Sequence, residues 1–453
     1  MRHTVHKQQK LVPIPDSHPH ALELGEISDT LDAHPEMTDM VLADLIDGGI
    51  APALGRGGMP AEQVLRAMII KQINGFSYEL LAFHLADSIS YQAFCRVGFD
   101  QRLNAKTLQR NIKKVKPETL EAINGVLVME AKSRGIERGR MVRTDCTAEE
   151  TNIHEPSDST LLFDVVRVLS RLMQKGKELG FDIDFVNHTR AAKRRSFEIS
   201  NTRGKDKRKK LYQKLVKLTK EALDDAFYAL PSFSSPPASI DAVGLALSIA
   251  IEKDIEEYLP LGRKVVEQTE ARVFRDESVA ASDKIVSIFE PHTDIIIKDR
   301  RGTVFGHKLC LTTGTSGLIL DLVILDGNPA DSTLAIEAVE RQKALYGRVP
   351  RQISFDGGFA SKTNLADIKE LGVKDVAFHK KRGLHVSEMA KSSWVYKKLI
   401  RFRAGVEGGI SYLKRCFGLS RCNWKGLESF KAYSWASVLS ANLLMLARHS
   451  LAS

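Results

Sequence analysis

Cysteine is scarce in this 453-residue chain: Cys95, Cys146, Cys310, Cys416 and Cys422 are odd in number, and no two form a Cys-x2-Cys pair. That pattern argues against a disulfide scaffold and against structural zinc, and a reducing cytoplasm is the expected setting. Long apolar runs are missing too. The most apolar late stretch, 434–447, is interrupted by Ser437, Ser440 and Asn442, which leaves it too short and too polar to span a bilayer. The opening Met1-Arg-His-Thr-Val-His-Lys-Gln-Gln-Lys10 is charged but no apolar stretch follows it, so no secretion signal is expected. Acidic charge is in deficit, with 66 Lys and Arg against 56 Asp and Glu, a net charge of +10. A phosphate-rich partner fits that excess, as does a merely basic soluble surface. Apolar residues, at 43%, are ample for two or three domains with cores of their own.

Residues 1–40, rich in His, Pro, Asp and Glu without clear periodicity, read as a mobile or loosely docked arm. Residues 41–135 read as a helical domain. Pro60 suits the start of a helix over 61–74, where Val64, Met68 and Ile69 recur at helical spacing and Gly75 closes the run. Ser77 is placed to cap a helix over 78–86 that turns Leu80, Leu81 and Leu85 inward. A third segment, 104–116, carries Leu108, Ile112 and Val115 on one side and Lys106, Arg110, Lys113 and Lys114 on the other. Short helices with tight turns and a basic last member resemble a helix-turn-helix module, so DNA contact through Arg110, Lys113 and Lys114 is expected. A bundle with a solvated basic face is the alternative.

The run Met141-Val-Arg-Thr-Asp-Cys-Thr147 reads as a strand carrying Asp145. After it comes the polar loop Asn152-Ile-His-Glu-Pro-Ser-Asp158, whose Asn152, His154 and Asp158 are candidates to line a site. Residues 161–284 then read as a helical, basic insertion, split at Leu230-Pro-Ser-Phe-Ser-Ser-Pro-Pro237. Between Arg190 and Lys220 the basic residues crowd together, and only Glu198 and Asp206 interrupt them. A bias that severe favours sequence-blind, salt-dependent contact with phosphate backbone, Lys207, Arg208, Lys209 and Lys210 foremost. Charge runs are more often a solvated, partly coiled-coil surface.

From about residue 285 the texture becomes α/β. Residues 303–313 and 317–326 are β-rich, with the turn Thr313-Gly-Thr-Ser-Gly317 between them. Asp331-Ser332 can start a helix over 333–346; Gln352-Ile-Ser-Phe-Asp356 is the next strand; 361–371 is a helix stopped by Gly372; 373–379 is a strand; 401–449 is mostly helical. Without the insertion, the order matches a ribonuclease H-like core: a mixed sheet with flanking helices, built from 136–160 and 285–450. A crossover helix sets the Asp356 strand parallel to the Asp145 strand, and the C-terminal helix brings Glu407 to both.

Glu407 lies in Arg403-x3-Glu407-x6-Lys414, where offsets of 4 and 11 fall at about 40° and 20° around a helix, so the three share one face. Clustered carboxylates repel, and burial raises their pKa unless a cation neutralises them. Hard oxygen ligands select Mg²⁺ or Mn²⁺ over zinc. Asp145, Asp356 and Glu407 are therefore candidates to hold two such ions, with Asp145 between them, for an in-line displacement at phosphorus. Arg403 and Lys414 would steer phosphates, and Gly357 and Gly358 would permit close approach beside Asp356. Lys308, with Lys298 and His307, is a further candidate for DNA contact, and Trp394 and Trp424 for stacking on an unpaired base.

Four stretches carry a resemblance: Arg143-Thr-Asp-Cys-Thr-Ala-Glu-Glu-Thr-Asn-Ile-His-Glu-Pro-Ser-Asp158, Ser287-Ile-Phe-Glu-Pro-His-Thr-Asp294, Ser354-Phe-Asp-Gly-Gly358 and Arg403-Ala-Gly-Val-Glu-Gly-Gly-Ile-Ser-Tyr-Leu-Lys414. Through them the chain resembles DDE-class insertion-sequence transposases, most closely the ISNCY group. The resemblance implies divalent-metal-dependent cleavage of element ends (terminal inverted repeats), strand transfer to target DNA, a dimer or larger assembly on DNA, and Asp145, Asp356 and Glu407 as the catalytic acids. The helix signature expected of such proteins, Tyr-x2-Arg-x3-Glu-x6-Lys, is met at Arg403, Glu407 and Lys414, whereas Ile400 stands at the tyrosine position and Tyr396 lies one turn earlier. A ribonuclease H-like nuclease or resolvase without strand transfer, and a transposase-derived DNA-binding protein, are the alternatives.

Overall fold

A computed structural model describes residue 4 and residues 18–47, 58–98, 101–298 and 302–452. They fall into two compact units, 1–151 with 307–453 and 152–306.

In the first unit, helices α1 (Pro19–Ala33) and α2 (Pro35–Ile46) occupy most of the stretch expected to be a loose arm. Leu24, Ile27, Leu31, Met37, Val41 and Leu45 are all buried. Their periodicity is masked in sequence because Ser28 and Thr30 are buried beside them. Ser28 is there to accept from Arg66, whose guanidinium also pairs with Glu62 (3.1 Å) and Asp32 (2.7 Å). Apart from Thr4, the part of that arm before His18 lies outside the described residues.

Helix α3 (Ala61–Asn74) ends at Gly75, whose φ of +63° suits glycine. Ser77 caps α4 (Tyr78–Asp87) by accepting from the Leu80 N–H; Leu81 and Leu85 face inward, but Leu80 is exposed, contrary to expectation. A short α5 (Ile89–Cys95) follows. Helix α6 (Ala105–Ile112), capped by Asn104, stops before the expected residue 116 because Pro117 opens α7 (Pro117–Ser133) and disfavours helix in the residue ahead of it.

The strands of the first unit are β1 (Met141–Glu150), β3 (Gly302–Thr313, from His307 onward), β4 (Ile319–Ile324), β5 (Gln352–Phe355) and β6 (Asp375–Phe378); β2 (Asp294–Lys298), which the sequence pattern did not reveal, pairs antiparallel with the first half of β3 inside the second unit. The sheet order is β4-β3-β1-β5-β6, with β3–β4 antiparallel and both β1–β5 and β5–β6 parallel. Helix α12 (Ala335–Tyr346) makes the crossover to β5, and α13 (Lys362–Glu370), capped by Ser361, the crossover to β6. This is the ribonuclease H-like arrangement, a mixed sheet with flanking helices. After a short α14 (Val386–Met389), α15 (Ser393–Cys416) lies on β1, β5 and β6. Last comes α16 (Leu427–Leu451), which packs on α1, α3, α7 and β4.

Of the polar residues that interrupt the late apolar run, Ser437 donates to the Tyr433 carbonyl within α16, Asn442 both donates to and accepts from Ile319 of β4, and Ser440 is buried without a hydrogen-bond partner among the described residues. Helices 41–135 and the sheet share one hydrophobic core, from Leu24 and Met68 through Val142 and Phe355 to Leu443, so residue 135 is not the core boundary the sequence suggested.

The second unit has a separate core, in which Leu162, Val166, Leu169, Leu215, Ile255 and Val265 are buried. It is built from α8 (Asp158–Glu178), α9 (Thr189–Asn201), α10 (Lys205–Ala229) and α11 (Ala242–Phe274) with the β2–β3 ribbon, and so is wider than the expected 161–284. Among the described residues, no helix is long and apolar enough to cross a membrane, and none of the five cysteines is joined in a disulfide.

Candidate active site

The parallel register sets Thr144 of β1 opposite Phe355 of β5, so the next residue of each, Asp145 within β1 and Asp356 just after β5, emerge together where the pairing of the two strands ends. Thr144 is fully buried and bonded to Thr312 on β3 (2.9 Å), which fixes the turn of the strand that aims Asp145 the other way. From α15, Arg403 and Glu407 come one turn apart. The Arg403 guanidinium gathers all three acids: Nη2 lies 3.0 Å from Asp145 and 3.3 Å from Asp356, and Nη1 lies 3.1 Å from Glu407. Arg403 is nearly buried, Asp145 mostly so, and Glu407 is 71% exposed. Burial pushes the Asp145 carboxyl up to about 6; Arg403 and the Cys146 N–H (2.8 Å) pull it down, and the charges of Asp356 and Asp331 push it further up.

One guanidinium thus stands against three carboxylates. Among the described residues no three acidic, His or Cys side chains are close enough to cage a metal as they stand. The donor set is nonetheless all carboxylate oxygen, with a surplus of negative charge, and that chemistry fits a hard divalent cation.

Asp331 escaped the sequence reading, which took it only as a helix start. It sits in the turn before α12, pairs with Lys308 (2.6 Å) and lies against Gly358, where a Cβ would collide with its Oδ2. Asn364 clamps this turn to the one after Asp356 by donating to the carbonyls of Ser332 (2.7 Å) and Phe359 (2.8 Å). Only the crowding at Gly358 could have hinted at it. Gly357 and Gly358 are therefore filled by this protein's own Lys380 and Asp331 and are not open to a ligand.

Several expected contacts are corrected. Lys308 is almost buried, bonded to Asp331 and to the Pro329 carbonyl (2.6 Å), so it does not face outward to phosphate. His307 is buried against Phe430, and Trp424 is buried in the core. The Tyr396 hydroxyl donates to the Phe378 carbonyl (2.8 Å), which makes it a core tie rather than a stand-in at the Ile400 position, and Ile400 itself packs on the core. Lys414 reaches the Ala148 carbonyl (2.7 Å), further along β1 than Asp145. Trp394 is exposed on α15, next to Lys398. Lys298 lies on β2.

On α6, Arg110 is exposed, and just after it Lys113 and Lys114 are half-buried, Lys113 over the Trp424 ring. In the second unit Lys207, Arg208 and Lys210 are exposed on α10, whereas Lys209 donates to the Phe274 carbonyl at the end of α11 (3.0 Å). His154 is bonded to Asp164 (2.9 Å) and Asp158 to Arg272 (2.7 Å), so both are engaged within that unit.

Comparison with known proteins gives two matches. Residues 289–443 match the family model described as "Transposase DDE domain", and residues 10–114 match "Transposase domain (DUF772)". No curated protein and no solved structure matches the chain.

Proposed function

Because this chain belongs to the DDE transposases of insertion sequences, enzymes of metal-dependent DNA phosphoryl transfer, we propose that Asp145, Asp356 and Glu407 are its catalytic carboxylates. The observation that carries this reading is their meeting on the single Arg403 guanidinium from three remote parts of the chain. Two Mg²⁺ or Mn²⁺ ions, when bound, supply activation of the attacking water or 3′-hydroxyl and neutralisation of the leaving oxygen. Asp145 would hold both, and Asp356 and Glu407 one each.

The other groups bind and orient DNA. Arg403, freed from the acids once they are otherwise neutralised, holds a phosphate beside the scissile bond. Lys414, turning from the Ala148 carbonyl, holds a flanking one. Arg110, Lys113 and Lys114 on one unit, and Lys207, Arg208 and Lys210 on the other, contact element-end or target backbone. Transposition pairs two ends, so the working form is a dimer or larger assembly on DNA. Its place is the bacterial cytoplasm, at the nucleoid. Placement in the ISNCY group rests on the sequence motifs alone.

An oligonucleotide bearing the terminal repeat, incubated with Mg²⁺ or Mn²⁺ and target DNA, tests the assignment. Asp356→Asn should lower both end cleavage and joining by at least about a thousandfold, as loss of one member of a catalytic constellation does. Undiminished cleavage would remove Asp356 from the chemistry. Cleavage without any joined product from the wild type would instead indicate a nuclease.

A further inference from the structure

Arg143 stands two residues before Asp145 and so on the same face of β1. Its guanidinium donates from Nε to Thr313 Oγ1 on β3 (2.9 Å) and from Nη1 to the Phe402 carbonyl on α15 (2.6 Å), and it lies 4.6 Å from the centre of the Phe402 ring. One rigid planar group therefore joins two strands to the helix that carries Arg403 and Glu407. Nη1 occupies the space where a side chain at residue 405 would begin: a Cβ on Gly405 would collide with it, whereas Gly408 and Gly409 have nothing near them. Glycine inside a helix is unfavourable, and here it leaves room for the guanidinium.

We propose that Arg143, seated against Gly405, is a positioning residue that fixes α15 on β1 and so sets the distance of Glu407 and Arg403 from Asp145. The proposal rests on the catalytic reading of those three residues. Arg143 touches none of the carboxylates in the contacts described above; it acts through the backbone of the residue next to Arg403.

The test is a double-mutant cycle of Gly405→Ala with Arg143→Met, which keeps the aliphatic stem. Three quantities are read in the full-length protein: melting temperature, Mn²⁺ affinity by titration calorimetry, and end cleavage. Alone, Gly405→Ala should lower the melting temperature and weaken Mn²⁺ binding roughly tenfold. It should also slow cleavage roughly a hundredfold, as a misplacement near 1 Å does. With Arg143→Met present, the same change should raise the melting temperature, since alanine is then simply the better helix former, and cost no further Mn²⁺ affinity. Arg143→Lys, retaining a donor, should recover part of the affinity lost in Arg143→Met.

A silent Gly405→Ala, or equal losses in both backgrounds, overturns the proposal, because the guanidinium would then be yielding rather than fixed. A lowered melting temperature with wild-type Mn²⁺ affinity overturns it as well, leaving Arg143 a packing residue. Asp356→Asn in parallel keeps the two ideas apart: full cleavage by that variant removes the active-site reading but leaves the reversal in melting temperature standing.

Discussion

Asp145 and Glu149 lie four residues apart on β1, and burial raises both, to about 6 and about 8. Asp145 opens toward Arg403, Asp356 and Asp331, where a cation can restore its charge. Glu149 is enclosed; Ser434 donates to it (2.6 Å) and Lys414 lowers its pKa, but desolvation dominates, so it is mostly protonated at neutral pH. A carboxyl whose folded pKa exceeds its unfolded value binds an extra proton when folded. Stability therefore falls as pH rises from about 4.5 through about 8. Glu149→Gln keeps an acceptor for Ser434 and removes that titration. Denaturant melts at pH 5, 7 and 9 should show the variant gaining on wild type as pH rises, by roughly 2–4 kcal/mol across the range. A constant gap would mean that Glu149 stays charged in the fold. At this scale the sequence showed the three acids because each sits in its own motif. It did not show Arg143 or Asp331, whose importance lies wholly in what they touch, or that Lys308 is bonded inward.

Helices and strands were legible where one face is apolar and the ends are marked. Gly75, Ser77, Asn104 and Ser361 all terminate or cap the elements their positions suggest. Helix α1 was not legible, since buried Ser28, which accepts from Arg66, and buried Thr30 break its apolar stripe. The basic run proved divided in role: Lys209 is bonded to the Phe274 carbonyl, while Lys207, Arg208 and Lys210 are exposed. Replacing these three by Gln, with Lys209 kept, should weaken binding to any duplex. It should also flatten the slope of log K against log salt by up to about 3, near 0.9 for each phosphate lost. An unchanged slope would make this face of α10 a solvated surface and nothing more.

At the scale of the molecule, two units with separate cores need not unfold together. Trp394, Trp424 and Trp435 all lie in the first unit, so tryptophan fluorescence reports that unit alone, whereas far-ultraviolet circular dichroism also follows the helices of the second. Urea transitions by the two probes should not coincide. Superimposable curves would show that the units unfold as one cooperative body.

By itself the sequence determined what local chemistry can determine: helix or strand where an apolar face and marked ends make the element plain, that three acids punctuate such elements, and the order that sets the Asp145 strand beside the Asp356 strand. Only the tertiary structure decided that the N-terminal helices and the sheet share one core, that Asp331 joins the acids, and that Lys308, His307 and Tyr396 turn inward. The physical reason is that periodicity records which face of an element is buried but not which neighbour covers it. A charged side chain has the same appearance in sequence whether it meets water, a phosphate or another residue of its own fold.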